Sequence, residues 1–430
     1  MQTSPQLDRK VTTSAVVGTI IEWYDFYIYG TASALVFGML FFHADDPLVG
    51  TIAAFATFAI GFLARPIGAA VFGHFGDRIG RKKMLIYSLV GMGIATVAVG
   101  LLPTYDQVGA LAPILLVACR LIQGFCVGGE WGGAMLLSVE HAPAGKKNLA
   151  GALVQVGSPA GLVLATGILA IFSAQPDEVF LTWGWRVPFL FSALLVAIGL
   201  FIRLKVDESP EFKKVREAGQ TTRIPLFATF AKAPLQVLAG IALTCGPFVY
   251  FYFLTTFLLT FGVSELGFDR QTLLLSVTIA ATVEIALMPV AGWLADKYGR
   301  GKVFTIGAAL LVVLAFPAVA ALIAAPGDTA VLLIVMVGSM SIIHPLTYAL
   351  LSTMFTDLFP AGIRYTGVSL AFQFGGVVGG FSPLILTAAL TTPSFGILIP
   401  GYLALMSIIT LVAGIAVTRQ VARTRQLERV

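Results

Sequence analysis

The chain has 430 residues, 57% of them hydrophobic and 11% charged, with a mean hydropathy of +0.91. Soluble domains average about 25% charged residues, so this composition excludes an ordinary soluble enzyme or binding module. The net charge of +5 is accounted for by where the basic residues fall along the chain, and no nucleic-acid partner is needed.

A helix needs roughly 20 apolar residues to cross a bilayer, and runs of that length recur along nearly the whole sequence. They are continuous and do not alternate with period two, so they predict helices and not a closed barrel. Twelve spans are expected, at 13–41, 50–74, 84–103, 109–139, 149–173, 184–204, 235–262, 271–295, 302–325, 330–356, 365–390 and 397–418. The first run carries Glu22 and Asp25 and lacks a small-residue cleavage site, so it does not read as a signal peptide. Cys119, Cys126 and Cys245 lie inside apolar runs without a CxxC pattern and read as small core residues.

With both termini placed in the cytoplasm, all but four of the 27 Lys and Arg fall on the cytoplasmic connections or tails. Arg65, Arg120 and Arg186 fall inside spans, and Arg270 is on the opposite side. The opposite loops carry Asp45, Asp46, Asp106, Asp177, Glu178, Glu265, Asp269 and Asp328. This asymmetry sets the expected orientation.

Ionisable groups at the centre of a span cost about 2.5–3.5 kcal/mol on insertion scales, so each is a functional candidate. In span one, Glu22, Asp25 and Tyr29 share a helical face. Two close carboxylates make proton carriage plausible, with a structural salt bridge to a neighbouring helix as the bland reading. Arg65 in span two is about 18 Å of helical rise from Asp77. It is a natural partner for Glu22 or Asp25, or for an anionic substrate. Span four offers Arg120 and Gln123, then Glu130 as a candidate for coupling or a gate. Its glycines at 124, 128, 129, 132 and 133 are read as packing positions.

Arg186, just after Trp183 and Trp185, reads first as an interfacial anchor with those tryptophans in the aromatic belt, with a gate or anion-entry role as the alternative. Tyr250, Tyr252 and Gln373 could line a cavity. Glu284 and His344 read as single intramembrane polar groups, each with a structural hydrogen bond slightly favoured over coupling.

Two loops repeat. GHFGDRIGRKK begins at Gly73, and GWLADKYGRGK begins at Gly292, half a chain later. The first is read as a short charged hairpin between apolar runs. A half-chain period implies a duplicated architecture with equivalent loops. Asp77 and Arg81, with Asp296 and Arg300 in the second copy, can latch one face of an alternating-access cycle. The acid would accept hydrogen bonds from a neighbouring helix N-terminus. Glu140 and Asp357, each three residues before a proline, suggest a second matched latch. The expected division is a six-helix bundle over 1–204, a cytoplasmic linker over 205–234 with an amphipathic surface helix, and a second bundle with a short tail over 235–430.

The segments EWYDFYIYG, ARPIGAAVFGHFGDRIGRK, RLIQGFCVGGEWGGA, GWRVPF, DESPEF and LFPAGIRYTGVSL resemble the metabolite:proton symporter branch of the major facilitator superfamily. The resemblance covers essentially the whole chain. It implies an all-α membrane fold of twelve helices in two pseudo-symmetric bundles, a central cavity, and proton-coupled uptake. Asp77 and Arg81 match the branch's inner-gate loop, and Arg120 matches a span-four arginine linked to coupling. Glu22, Asp25, Arg65 and Glu130 match its polar positions. The second loop has Ala295 in place of Gly76 and Gly301 in place of Lys82, which implies a weaker charge lock. Osmosensing betaine carriers of the branch bear a C-terminal coiled coil, and no sustained heptad follows Arg419.

The expectation is a plasma-membrane importer of a small polar metabolite, an organic acid, by proton symport, functional as a monomer in lipid without a cofactor or metal. The candidate residues are Glu22, Asp25, Arg120 and Glu130 for proton coupling. Tyr29, Arg65, Gln123, Arg186, Tyr250 and Gln373 are candidates for substrate binding. Asp77, Arg81, Glu140, Asp296, Arg300 and Asp357 are candidates for gating. A proton-coupled exporter, a zwitterionic osmolyte importer and a non-transporting sensor are the rivals. A membrane enzyme is disfavoured because HExxH, GxSxG and a His-rich ligand set are all missing; without an ATP-binding loop, energy is expected from an ion or substrate gradient.

Overall fold

The computed structural model describes residues 9–427 apart from 43, 45, 80, 129–137, 140, 141, 144, 206–232 and 360–363. The expected linker helix and the candidates Glu130 and Glu140 therefore lie outside the described residues, as do the side chains of Asp77 and Arg81. Within the described residues every regular element is helical.

The first set of long helices is α1 (Arg9–Ala32), α2 (Pro47–Ile79), α3 (Arg81–Leu101), α4 (Leu111–Val127), α5 (Lys147–Ser173) and α6 (Arg186–Lys205). The second is α7 (Pro234–Ser264), α8 (Arg270–Tyr298), α9 (Arg300–Ala324), α10 (Thr329–Leu358), α11 (Arg364–Ala389) and α12 (Phe395–Leu427). Among the described residues, ten stretches are long and apolar enough to cross a membrane. The other two are α1, where the acids Glu22 and Asp25 sit, and the 17-residue α4.

Local chemistry sets the ends. Asp269 caps α8 by accepting from the backbone N–H of Thr272 at 2.8 Å, and Asp328 caps α10 through Ala330 at 2.9 Å. Gly299, at φ +92°, separates α8 from α9, a conformation that a Cβ would disfavour. The first charged loop differs from the expected hairpin. α2 continues to Ile79 and α3 starts at Arg81, so the motif is carried mainly on helix ends. A helix end keeps the backbone N–H and C=O groups hydrogen-bonded at the membrane edge, which an open hairpin would not.

Packing repeats with an offset of six helices. α1 packs on α5, α2 on α4 and α3 on α6, while α7 packs on α11, α8 on α10 and α9 on α12. Two seams join these sets, α2 against α11 and α5 against α8. Turns of π-helix recur at equivalent places, Ser33–Phe37 after α1 and Phe253–Phe257 within α7.

The crossing of α2 and α4 positions Arg120. A Cβ on Gly124 would lie 1.9 Å from the carbonyl oxygen of Gly61, so the two backbones touch there. A Cβ on Gly61 would lie 2.5 Å from Arg120 Nε. The missing side chain is the space that the Arg120 side chain occupies.

Candidate functional site

Between α1, α2, α3 and α4 lies a small cavity lined by Asp25, Phe26, Arg65, Met92, Arg120, Gln123, Gly124 and Val127. Asp25, Arg65 and Arg120 are at most 3% exposed. The guanidinium of Arg65 lies over the rings of Phe26 at 4.2 Å and Phe62 at 4.6 Å. That of Arg120 lies over Tyr29 at 4.3 Å, Phe26 at 4.7 Å and Phe58 at 4.9 Å. Ring faces carry negative potential, and desolvated contacts of this kind are worth about 2 kcal/mol or more.

Hydrogen bonds satisfy only part of the set. Arg120 Nη1 donates to Gln123 Oε1 at 3.4 Å, and Gln123 Nε2 donates to Thr96 at 2.8 Å. Ser192 of α6 donates to Asp25 Oδ1. Asp25 Oδ2, Arg65 Nε, Arg120 Nε and Arg120 Nη2 are buried without a partner. Of the partners expected for Arg65, Asp25 is held by Ser192, while Arg65 stacks on two rings. Glu22, 5% exposed, acts electrostatically on Arg65. The arrangement is therefore two desolvated cations with Asp25 in the cavity and Glu22 acting on Arg65, and with unsatisfied N–H donors on both guanidiniums.

The remaining candidates are dispersed. Tyr29 donates to or accepts from Thr57 at 2.8 Å while its ring supports Arg120. Gln373 Nε2 donates to the Gly128 carbonyl at 3.1 Å, bridging α11 to the C-terminal end of α4. Tyr250 donates to the Leu311 carbonyl at 3.0 Å, inside the second set of helices and away from the cavity. Arg186 donates to the carbonyls of Gly100 at 2.9 Å and Leu102 at 2.6 Å, closing the end of α3. Trp183 is half-exposed, whereas Trp185 is fully buried against Phe37, Phe41 and Phe189 and so is no belt residue. Glu284 and His344 are paired with each other and are not single groups.

In the second repeat, an acid meets a neighbouring helix N-terminus. Asp296 accepts from the Asn148 backbone N–H at 3.1 Å, Asn148 Nδ2 at 2.8 Å and the Leu149 N–H at 3.0 Å. It thus holds the N-terminus of α5, where helix dipoles favour an anion. Thr353 donates to Asn148 Oδ1 at 2.6 Å, Arg300 donates to the Thr353 carbonyl at 2.8 Å, and Arg300 pairs with Asp357. At the other end of the same seam, Arg270 pairs with Asp177 at 2.8 Å, and Ser173 donates to Gln271 at 3.0 Å. The α5–α8 seam is fastened at both ends.

Several contributors carry no signal in the sequence. Phe26, Phe58 and Phe62 read as packing residues, and they do pack, with ring centroids 4.8–5.3 Å apart. Their faces are also what hold the guanidiniums. Ser192 and Asn148 are lone polar residues whose partners are far away in sequence. Only the polarity of Ser192 within an apolar run, and of Asn148 at a helix start, could have drawn attention to them.

A helical membrane bundle with paired seams and a buried charged cavity defines a multi-pass transporter. The family model for the Major Facilitator Superfamily matches residues 15–383, and matches again over 263–427. The chain belongs to this superfamily. It is 42% identical over 387 residues to the shikimate transporter of Escherichia coli (strain K12), covering 89% of this chain and 88% of that one. It is 41% identical over 410 residues to an inner membrane metabolite transport protein of the same strain, covering 94% and 92%. It is 34% identical over 421 residues to the proline/betaine transporter of that strain, covering 95% and 83%. Among solved structures, a D-xylose-proton symporter superposes with TM-score 0.71 at 19% identity, covering 96% of each chain. The relatives are transporters, not enzymes, and they carry shikimate, metabolites or proline and betaine within the Major Facilitator Superfamily.

Proposed function

We propose that this protein imports an organic anion by proton symport. The observation that carries this reading is the pair of buried guanidiniums, Arg65 and Arg120, with N–H groups lacking acceptors, in one cavity with Asp25. A substrate carboxylate supplies the missing acceptors, and the planar fork of arginine suits it. Ionised Asp25 is the counter-charge when the site is empty. Protonated, it leaves the cations for the substrate. Proton and anion then enter together.

The six-helix offset in packing supports two bundles, 1–204 and 235–430, rocking about the α2–α11 and α5–α8 seams. The ten apolar helices, with α1 and α4 carrying the cavity residues, support twelve spans. The basic asymmetry of the loops supports cytoplasmic termini in the plasma membrane. Asp296 then fastens the cytoplasmic end, and Asp77 with Arg81 is its counterpart in the first repeat. Glu130 and Glu140 remain candidates for coupling and gating at that end.

The relatives divide between shikimate and proline/betaine transporters. An aromatic cage would suit a quaternary ammonium, but Phe26, Phe58, Phe62 and Tyr29 are already occupied by arginines. This favours the anion. The test is uptake into liposomes under an inward proton gradient, with shikimate, mono-, di- and tricarboxylates, proline and betaine compared. Gradient-dependent uptake of a carboxylate, competed by other carboxylates and not by betaine, is expected. Uptake of betaine or proline alone would overturn the anion reading, and extrusion under the same gradient would favour the exporter.

A further inference from the structure

A second buried ionisable pair lies outside the arginine cavity. Glu284 is at mid-length of α8, and His344 follows the π-helical stretch Val337–Ile343 of α10. Glu284 Oε1 and His344 Nδ1 are 2.7 Å apart, and neither residue is more than 1% exposed. An imidazole nitrogen and a carboxylate oxygen this close share a proton. One turn earlier, Ser341 donates to the Ala280 carbonyl at 2.7 Å, which fixes α10 on α8.

Glu284 Oε2 and His344 Nε2 are buried without a partner. Among the described residues, His344 is the ion-pair partner of Glu284. With one shared proton the pair carries a net negative charge. With a second it is neutral overall. A buried uncompensated charge is strongly disfavoured, whereas a hydrated one is tolerated. Closing and wetting this site therefore pulls a proton on and lets it go.

The surroundings connect the pair to the first half. Tyr348 of α10 stacks on the imidazole at 5.0 Å, and the Phe251 ring of α7 is 5.4 Å away. The Tyr27 ring of α1 is 5.3 Å from Phe251, and its hydroxyl meets Ser158 of α5 at 2.5 Å. Among the described residues, Tyr27, Tyr348, Tyr252 of α7 and Glu22 of α1 are the titratable groups facing the pair from the first half and from α7 and α10. From α9, Gly307 packs closely against Leu346 and Thr347 of α10.

We propose that Glu284–His344 is a second proton-carrying site of the transport cycle, in the opposite half from Asp25. The proposal rests on the symport reading. A structural hydrogen bond alone would hold its proton throughout.

Two measurements test it. The first is a pH-difference infrared spectrum of the purified full-length protein in detergent. A titrating carboxylic C=O band is expected in the wild type, lost in Glu284→Gln and shifted in His344→Gln. Identical wild-type and Glu284→Gln spectra would overturn the proposal. The double variant Glu284→Gln/His344→Gln, which leaves no unpaired charge, serves if the single variants unfold. The second is shikimate accumulation in liposomes at clamped zero potential. Each coupled proton sustains about a tenfold ratio per pH unit. The ratio is expected to fall about tenfold per pH unit in Glu284→Gln while counterflow persists; an unchanged ratio would overturn the proposal. If the wild type moves no proton with any substrate, the symport reading fails, and the infrared band still decides whether the pair titrates.

Discussion

Asp296 of α8 holds the first turn of α5 through Asn148, accepting from both its backbone and its side-chain nitrogen. The contact crosses the seam between the two sets of helices, so it must break whenever that end opens. Hydrogen bonds to a charged acceptor are worth about 1.5–3 kcal/mol each. Asp296→Asn is expected to expose the Asn148 end of α5 to water and to slow transport. The check is reactivity of a cysteine placed at position 149 with a membrane-impermeant thiol reagent, alongside the initial uptake rate.

Asp25→Asn preserves an oxygen for Ser192 and removes the negative charge facing Arg65 and Arg120. Counterflow of the bound substrate is expected to survive, and the accumulation ratio driven by a pH gradient is expected to fall by about tenfold per pH unit. Counterflow and active uptake in the same vesicles separate the two effects.

Arg120→Lys keeps the charge and loses the plane that lies on Tyr29, Phe26 and Phe58. It also loses the fork that suits a carboxylate. The half-saturation concentration should rise by about tenfold, which corresponds to about 1.4 kcal/mol. Arg65→Lys should act in the same direction. An unchanged affinity in both variants would remove the guanidinium role.

Gly124→Ala drives a Cβ into the Gly61 carbonyl, 1.9 Å from where it would sit. Overpacking of this kind costs about 1–3 kcal/mol. The variant is expected to melt at lower temperature in detergent and to displace Arg120. Thermal unfolding measures the first effect and substrate affinity the second.

Asp269 caps α8 outside the membrane-spanning part. The Thr272 hydroxyl, and then the Thr272 backbone N–H, hold its carboxyl below the usual aspartate range. A lowered folded-state value means that the cap contributes fully above about pH 4 and is lost as pH falls through the lowered value. Asp269→Ala should cost about 1 kcal/mol at neutral pH and less in acid. Melting temperatures of both proteins, compared from neutral to acidic pH, read this out.

Much of the architecture was legible in the chain because lipid leaves few options for an apolar run, and because the GxxxD loops at Gly73 and Gly292 repeat. Arg65, Arg120, Asp25 and Gln123 could be named because polar groups in apolar runs stand out, and the structure brings these four into one cavity. Tyr250 and Arg186 stand out for the same reason, yet they bond to carbonyls elsewhere. Polarity marks a residue and does not reveal which face of its helix meets the cavity. The partnership of Glu284 with His344 could not be read from one sequence, because it depends on the rotation of α8 against α10. The ring faces of Phe26, Phe58 and Phe62 were hidden by ambiguity, since an aromatic residue that packs and one that carries a cation have the same letter.

The most direct measurement is internal pH in liposomes containing the wild type or Asp25→Asn, recorded as shikimate and other carboxylates are added outside. The account predicts acidification with at least one carboxylate in the wild type, and less acidification per carboxylate taken up in Asp25→Asn. Equal acidification per carboxylate by both proteins, or carboxylate uptake by the wild type with no acidification, would contradict proton symport through this site.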